Sequence, residues 1–241
     1  MTARQKPRQA ATVILLRAVE PKGFEAFLTR RPEGMAFLGG MYCFPGGTVR
    51  KEDCSTTMLR RCHGLTPQEA RSIIGAHFAP SEALALWVAA IRELFEEVGI
   101  LLAVNEKGER WRPEKNDPAQ PAQEHAALIE KSLSFQALLE NNGLFCDAAS
   151  LSHFSYWQTP AQFSMRFDTR FFLAALPADQ SPLPASPEVA HSVWLTPDRA
   201  LQLFSKDELP MIFPTFASLR TLADYETLES VFREFRIGNV A

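Results

Sequence analysis

Arg92-Glu93-Leu94-Phe95-Glu96-Glu97-Val98-Gly99-Ile100 holds the residues of this chain whose spacing most directly implies chemistry. On a helix, Glu93, Glu96 and Glu97 stand at i, i+3 and i+4, so three carboxylates leave one face within little more than a turn. Like charges at that spacing destabilise a helix by roughly 0.2–0.5 kcal/mol per pair. Arg92, at i+4 from Glu96, is the nearby relief in sequence, and a hard divalent cation with its preference for oxygen ligands would convert the repulsion into coordination. A solvated acidic face is the plainer reading of a Glu-Glu pair taken alone. Here a second motif weighs against it.

That motif is Phe44-Pro45-Gly46-Gly47, where a proline-fixed backbone runs into two residues free to adopt positive φ and to let main-chain groups approach a ligand. Together the two segments resemble the box of the Nudix hydrolase family: Gly, five residues, Glu, seven residues, then Arg-Glu-apolar-any-Glu-Glu-any-Gly-apolar. The second half matches at every specified position. The first half matches at Gly47, but Asp53 stands where the family has Glu, and thirty-eight residues separate Asp53 from Arg92 instead of seven. The box is thus split by an insertion.

A split box is similar to that of the branch containing the peroxisomal coenzyme A diphosphatases of animals. Leu28-Thr29-Arg30-Arg31, Gly40 and Phe44 to Gly47 fall in that branch's register, with Phe27, Pro32 and Ala36 departing from its usual Leu, Ser and Arg. The similarity extends through Phe167-Asp168-Thr169-Arg170-Phe171-Phe172 and Glu188 to Pro197. It implies Mg²⁺ or Mn²⁺ held by Glu93, Glu96, Glu97 and the Gly47 carbonyl, with Glu96 and Glu97 the principal ligands. Glu93 is then ligand or base, and Arg92 the orienting cation. Asp53 and Glu188 are supporting acids, and Arg30, Arg31 and Arg50 candidate phosphate partners. The implied reaction is hydrolysis of a diphosphate in a nucleotide substrate, coenzyme A or acyl-coenzyme A first. ADP-ribose, NADH or another dinucleotide is the alternative, and a nucleotide sensor without turnover the alternative of another class.

The elements that must position these groups read from periodicity. Leu84, Trp87, Val88, Ile91, Leu94, Phe95 and Val98 form one apolar stripe, placing the acids away from the core face, with Ser81 as N-cap and Gly99 as a left-handed stop. Ala11 to Ala18 and Phe24 to Thr29 read as a hairpin around Pro21-Lys22-Gly23. Thr66-Pro67-Gln68-Glu69 opens a helix reaching about Phe78 inside the insertion, residues 54–84, read as a spacer with partial coverage of the site. Ile100 to Val104 reads as a strand, Asn105 to Gln120 as a loop, and Ala122 to Asn141 as one helix ended by Gly143. Strands are expected at Ser152 to Gln158, Phe167 to Leu176 and Val189 to Leu195, a loop at Ser181 to Pro187, a helix from Pro197 to Phe204, and a helical tail over residues 210–241. This pattern fits an α/β fold, and the resemblance implies an α/β/α sandwich with a mixed sheet, read as one domain over residues 1–241.

Composition agrees with a globular enzyme: 241 residues, 46% hydrophobic, 22% charged and a net charge of −3. No basic field indicates nucleic acid, and a small ligand's phosphates can be met by a few arginines and a metal. No apolar run approaches membrane length. Cys43, Cys54, Cys62 and Cys146 lack metal spacing and read as reduced thiols, and the five histidines are scattered without ligand spacing. The basic stretch Met1 to Gln9 precedes an apolar run too short for a signal, and Gly238-Asn239-Val240-Ala241 spells no Ser-Lys-Leu peroxisomal address; the expected compartment is the cytoplasm. Tyr156 and Trp157 are candidates to stack on an adenine, against core packing as the plainer role. Oligomeric state is left open, a homodimer included.

Overall fold

The computed structural model describes residues 6–35, 37–113, 120–183 and 186–235. Ala36, the ends Met1 to Gln5 and 236–241, and parts of the loops expected at 105–120 and 181–187 lie outside the described residues.

The chain opens with the expected hairpin, β1 (Arg8–Ala18) and β2 (Phe24–Arg30), turning through Gly23 at φ 124°. β3 (Tyr42–Cys43) adds to β2, and β4 (Gly46–Thr48) lies antiparallel along β1 with Ala11 opposite Gly47. The inserted segment follows as α1 (Thr56–Leu59), β5 (Cys62–His63) and α2 (Pro67–Ile74). α2 starts at the expected Thr66–Glu69 capping box and stops at Gly75, short of Phe78. α3 (Pro80–Val98) carries the acids and ends in left-handed Gly99 at φ 73°. Its start differs from expectation: Pro80 is the first helical residue and the Glu82 carboxylate accepts from the Ala79 N–H at 3.1 Å, so Ser81 lies inside the helix.

β6 (Ala103–Asn105) is shorter than the strand expected from Ile100, because its ladder with β7 starts at Ala103↔Cys146 and residues 100–102, buried in the core, precede it. The single helix expected over Ala122 to Asn141 is two, α4 (Gln120–Ile129) and α5 (Phe135–Asn141). Lys131 takes a left-handed φ of 61° and Ser134 caps the second helix by accepting from the Ala137 N–H, a break the apolar periodicity does not register. The chain continues through β7 (Leu144–Asp147), β8 (Ser152–Gln158), β9 (Phe167–Ala175), β10 (His191–Leu195), α6 (Pro197–Phe204), α7 (Phe213–Leu222) and α8 (Leu228–Glu234). β10 begins two residues later than expected, after an isolated Ser186–Val189 bridge.

The main sheet has the order β10-β2-β1-β9-β8, with β3 on β2 and β4 on β1. It is mixed, since β1 and β9 run parallel from Arg8↔Phe167 to Leu16↔Ala175 while the other pairs are antiparallel. Alternation along β1 divides the interior in two. Val13 and Leu15 point into a core with α3, Trp87 and Phe172, whereas Ile14 and Leu16 point into a second core with Leu219, Leu222 and Val231 of the C-terminal helices. This is the expected α/β/α layering, with a small second sheet β5-β7-β6 joining the insertion to the strand after α3.

The insertion packs along α3, and Met58 of α1 lines the cavity beside the acids. α2 packs on α3, and Arg170 of β9 lies between the rings of Phe78 and Tyr156, 5.1 and 4.7 Å from their centroids. Fifteen of the nineteen residues of α3 are buried, Glu93 and Glu97 among them. The acids therefore do not occupy a solvated face: β4 and the turn after it cover the side the apolar stripe leaves free.

Candidate active site

Arg92 organises the acids. Its guanidinium is buried and all five of its N–H donors are engaged. Nε and Nη2 each donate at 2.9 Å to the two oxygens of Asp53, Nη2 also to the Thr48 carbonyl at 2.9 Å, and Nη1 to Glu93 at 2.6 Å and Glu96 at 3.2 Å. Burial opposes the charge, but the Asp53 hydrogen bonds and the charges of Glu93, Asp53 and Glu96 outweigh it and raise the pKa. Asp53 also accepts from the Arg50 N–H at 2.8 Å, fixing the short 3-10 turn Glu52–Cys54. Its short side chain is thus folded back on Arg50 and Arg92.

The glycines serve close approach rather than positive φ. A Cβ on Gly47 would stand 2.5 Å from the Glu93 carboxylate, and one on Gly46 2.4 Å from the Ala11 carbonyl oxygen. Gly47 takes no positive φ, and Gly46, at φ 159°, is close to extended, so the freedom expected at these positions is used for contact with the acids and with β1.

Three carboxylates end in three environments. Glu93 is paired with Arg92, yet burial raises its pKa. Glu97 accepts one hydrogen bond, from the Gly46 N–H at 3.2 Å; burial, then Glu93 and Glu188, push its pKa well above the ordinary value. Glu96 is held by both prongs of Arg50, at 2.7 and 2.6 Å. Among the described residues no three His, Cys, Asp or Glu side chains stand together as a ready metal cluster. The donor set nevertheless fits a hard cation: Glu97 is a buried carboxylate flanked by two other acids without an ion-pair partner among the described residues, and Glu96, paired with Arg50, would add a further oxygen ligand if that pair opened.

The last turn of α3 is held from outside. Its Glu96 carbonyl accepts from His125 Nε2 of α4 at 2.8 Å, and its Val98 carbonyl from the Leu183 N–H at 2.9 Å. Gln180 then grips the Leu101 N–H and carbonyl, both at 2.9 Å. Nothing in the sequence marks these contacts, since a lone histidine and a lone glutamine carry no spacing.

Of the other expected site residues, Glu188 is brought to the acids: its charge acts on Glu97, and with Glu96 it lines a cavity of about 590 Å³. Arg31 acts electrostatically on Glu97 and on Cys43, whose thiol burial pushes up to about 11. Arg30 points elsewhere, donating to the Gly40 carbonyl and pairing with Glu33 at 2.6 Å. Tyr156 is 63% exposed, contrary to its plainer core reading, and neither it nor Trp157 lines the cavity beside the acids. His153 is half-buried, with its Nε2 shielded and without a partner among the described residues, and its pKa is lowered to about 4 by burial and by Arg170. The four cysteines are free, as expected of reduced thiols.

A split acidic box on a buried helix, laid against a mixed sheet through a glycine strand, defines a Nudix hydrolase. Residues 7–222 match the model of the NUDT19 Nudix domain, and the chain belongs to that family. It is 28% identical over 274 residues to acyl-coenzyme A diphosphatase NUDT19 of Gallus gallus, covering 94% of this chain and 70% of that protein. To the Homo sapiens protein of the same name it is 26% identical, covering 88% of this chain and 64% of the relative. The crystal structure of a NUDIX hydrolase from Alicyclobacillus acidocaldarius superposes with a TM-score of 0.76 at 27% identity, over 98% of this chain and 100% of that one. Nudix hydrolases generally use divalent metal ions. No helix among the described residues is long and apolar enough to cross a membrane.

Proposed function

We propose that this protein is a Mg²⁺- or Mn²⁺-dependent diphosphatase that cleaves coenzyme A or an acyl-coenzyme A to 3′,5′-ADP and the corresponding phosphopantetheine, in the cytoplasm. The observation that carries the reading is Glu97, buried beside Glu93 and Glu188 with a single N–H donor, an arrangement that favours a cation at neutral pH. Glu93, Glu96 and Glu97 would hold the metal, with Glu188 supporting them. When bound it supplies charge neutralisation at the diphosphate and a water of lowered pKa. Arg92 keeps Glu93 and Glu96 oriented, and Asp53 keeps Arg92 in place. The names of the NUDT19 relatives support the coenzyme A class.

Coenzyme A differs from ADP-containing dinucleotides by its 3′-phosphate. Arg31, whose charge reaches Glu97, is the better partner for it, because Arg30 is already paired with Glu33. Hydrolysis of coenzyme A, dephospho-coenzyme A, ADP-ribose and NADH with each metal, products resolved by mass, tests the reading. One charge-assisted contact is worth about 1.5–3 kcal/mol, so coenzyme A should be preferred to its dephospho form by about tenfold to a hundredfold. A clear preference for ADP-ribose or NADH would overturn the coenzyme A assignment and leave a hydrolase, while binding of these nucleotides without turnover would favour a sensor.

A further inference from the structure

The last turn of α3 carries two of the three acids, Glu96 and Glu97, and a helix end leaves its final carbonyls without partners inside the helix. Three of these carbonyls are met by donors: Phe95 by the Gly99 N–H at 2.8 Å, Val98 by the Leu183 N–H at 2.9 Å, and Glu96 by His125 Nε2 at 2.8 Å. Two of those donors are main chain, and the third is a side chain that arrives from α4. We infer that His125 is a positioning residue for the acids: its hydrogen bond holds the turn on which Glu96 and Glu97 stand and thereby sets the affinity for the divalent cation. The inference rests on the metal dependence proposed above.

Three features of the contact support that role. A carbonyl oxygen cannot donate, so the 2.8 Å contact fixes the imidazole proton on Nε2. The imidazole is buried and stands edge-on to the Phe95 ring, centroids 5.6 Å apart at 82°, so the residue before Glu96 holds the ring that in turn holds the Glu96 carbonyl. α4 is itself anchored beside His125, since Asn142 at the end of α5 donates to Glu124 at 2.8 Å and accepts from Gln120 at 3.0 Å. The donor therefore reaches the turn from an element fixed independently of α3. Glu93 stands a turn earlier, with its carboxylate on Arg92 at 2.6 Å, and has that support of its own. A buried carbonyl that loses its donor is destabilising, and the readiest relief is fraying of the last turn, which displaces Glu96 and Glu97 relative to Glu93. A cation such as Mg²⁺, which demands near-ideal octahedral geometry, is bound less tightly by displaced ligands.

The test uses the full-length protein with Mn²⁺ alone as the probe. His125→Phe keeps a ring against Phe95 and His125→Leu a smaller apolar group, both without the donor, while His125→Gln returns an N–H at similar reach. Val231→Ala, in the second core away from α3, is the control for lost stability. Calorimetric titration should show Mn²⁺ bound about tenfold more weakly by His125→Phe and His125→Leu, the equivalent of about 1.4 kcal/mol. His125→Gln should recover most of that loss, and Val231→Ala should bind like the wild type. In chelator, hydrogen exchange at the Gly99 N–H, which closes the turn, should quicken in the Phe and Leu variants and slow again in His125→Gln. Mn²⁺ affinity unchanged in both donorless variants would overturn the positioning role and leave the metal site standing. An equal loss in His125→Gln would overturn it by assigning the effect to ring packing, and an equal loss in Val231→Ala by assigning it to stability in general. Absence of Mn²⁺ binding by the wild type would overturn both this role and the metal dependence on which it rests.

Discussion

Replacing Asp53 by Asn separates an acid that positions from one that binds metal. Asp53 accepts three hydrogen bonds, two from Arg92 and one from the Arg50 N–H, and it is buried. Asn keeps one carbonyl oxygen and turns an amide NH₂ toward donors. Breaking one partner of a buried ion pair costs about 3–5 kcal/mol. Arg92 retains Glu93 and Glu96, so its charge is not orphaned, and we expect the lower end, about 3 kcal/mol. For a chain of this size that lowers Tm by about 6–12 °C. Activity should fall about tenfold through disturbed orientation of the acids, against about a thousandfold for Glu97→Gln. Asp53→Glu, which restores the charge with one extra methylene, should recover part of both. Calorimetric melting in chelator, beside steady-state kinetics with saturating Mg²⁺, reads the two effects separately. If Asp53→Asn melted like the wild type yet lost as much turnover as Glu97→Gln, Asp53 would be a metal ligand and the positioning argument would be wrong.

Glu93 and Glu97 have raised pKa values, so above the ordinary glutamate range the folded chain holds protons that the unfolded chain has released. Stability of the metal-free protein should therefore fall as pH rises through that window, added Mg²⁺ should raise Tm more at pH 8 than at pH 5, and Glu97→Gln should flatten the slope; a Tm in chelator that climbs with pH would contradict the burial argument. Arg50→Gln frees Glu96 from a part-exposed pair worth about 0.2–1 kcal/mol, so calorimetric titration with Mn²⁺ alone should show affinity improved by up to about fivefold, and weaker binding would show that Arg50 supports the ion instead. Gly47→Ala drives a methyl into the Glu93 carboxylate and should cost about 1–3 kcal/mol in stability together with most of the activity, whereas Gly34→Ala, which meets nothing within 4 Å, should cost neither.

The sequence determined the parts whose signal is local. The acidic helix, its stop at Gly99, the Thr66–Glu69 box and the hairpin of β1 and β2 depend on neighbours within a few residues, and each appears where the local pattern puts it. The reaction class was legible for the same reason, because both halves of the box keep their internal spacing across the insertion. Only the tertiary structure decided what surrounds those parts. Three glutamates one turn apart read alike in sequence, but packing by β4 buries Glu93 and Glu97 while Arg50 takes Glu96. Asp53 and Arg92 meet across thirty-eight residues, and His125 reaches the Glu96 carbonyl from another helix, because the sheet and the insertion fold them together. Burial and pairing are sums over chain segments remote in sequence, and they set the charge, and hence the chemistry, of residues that the pattern alone leaves equivalent.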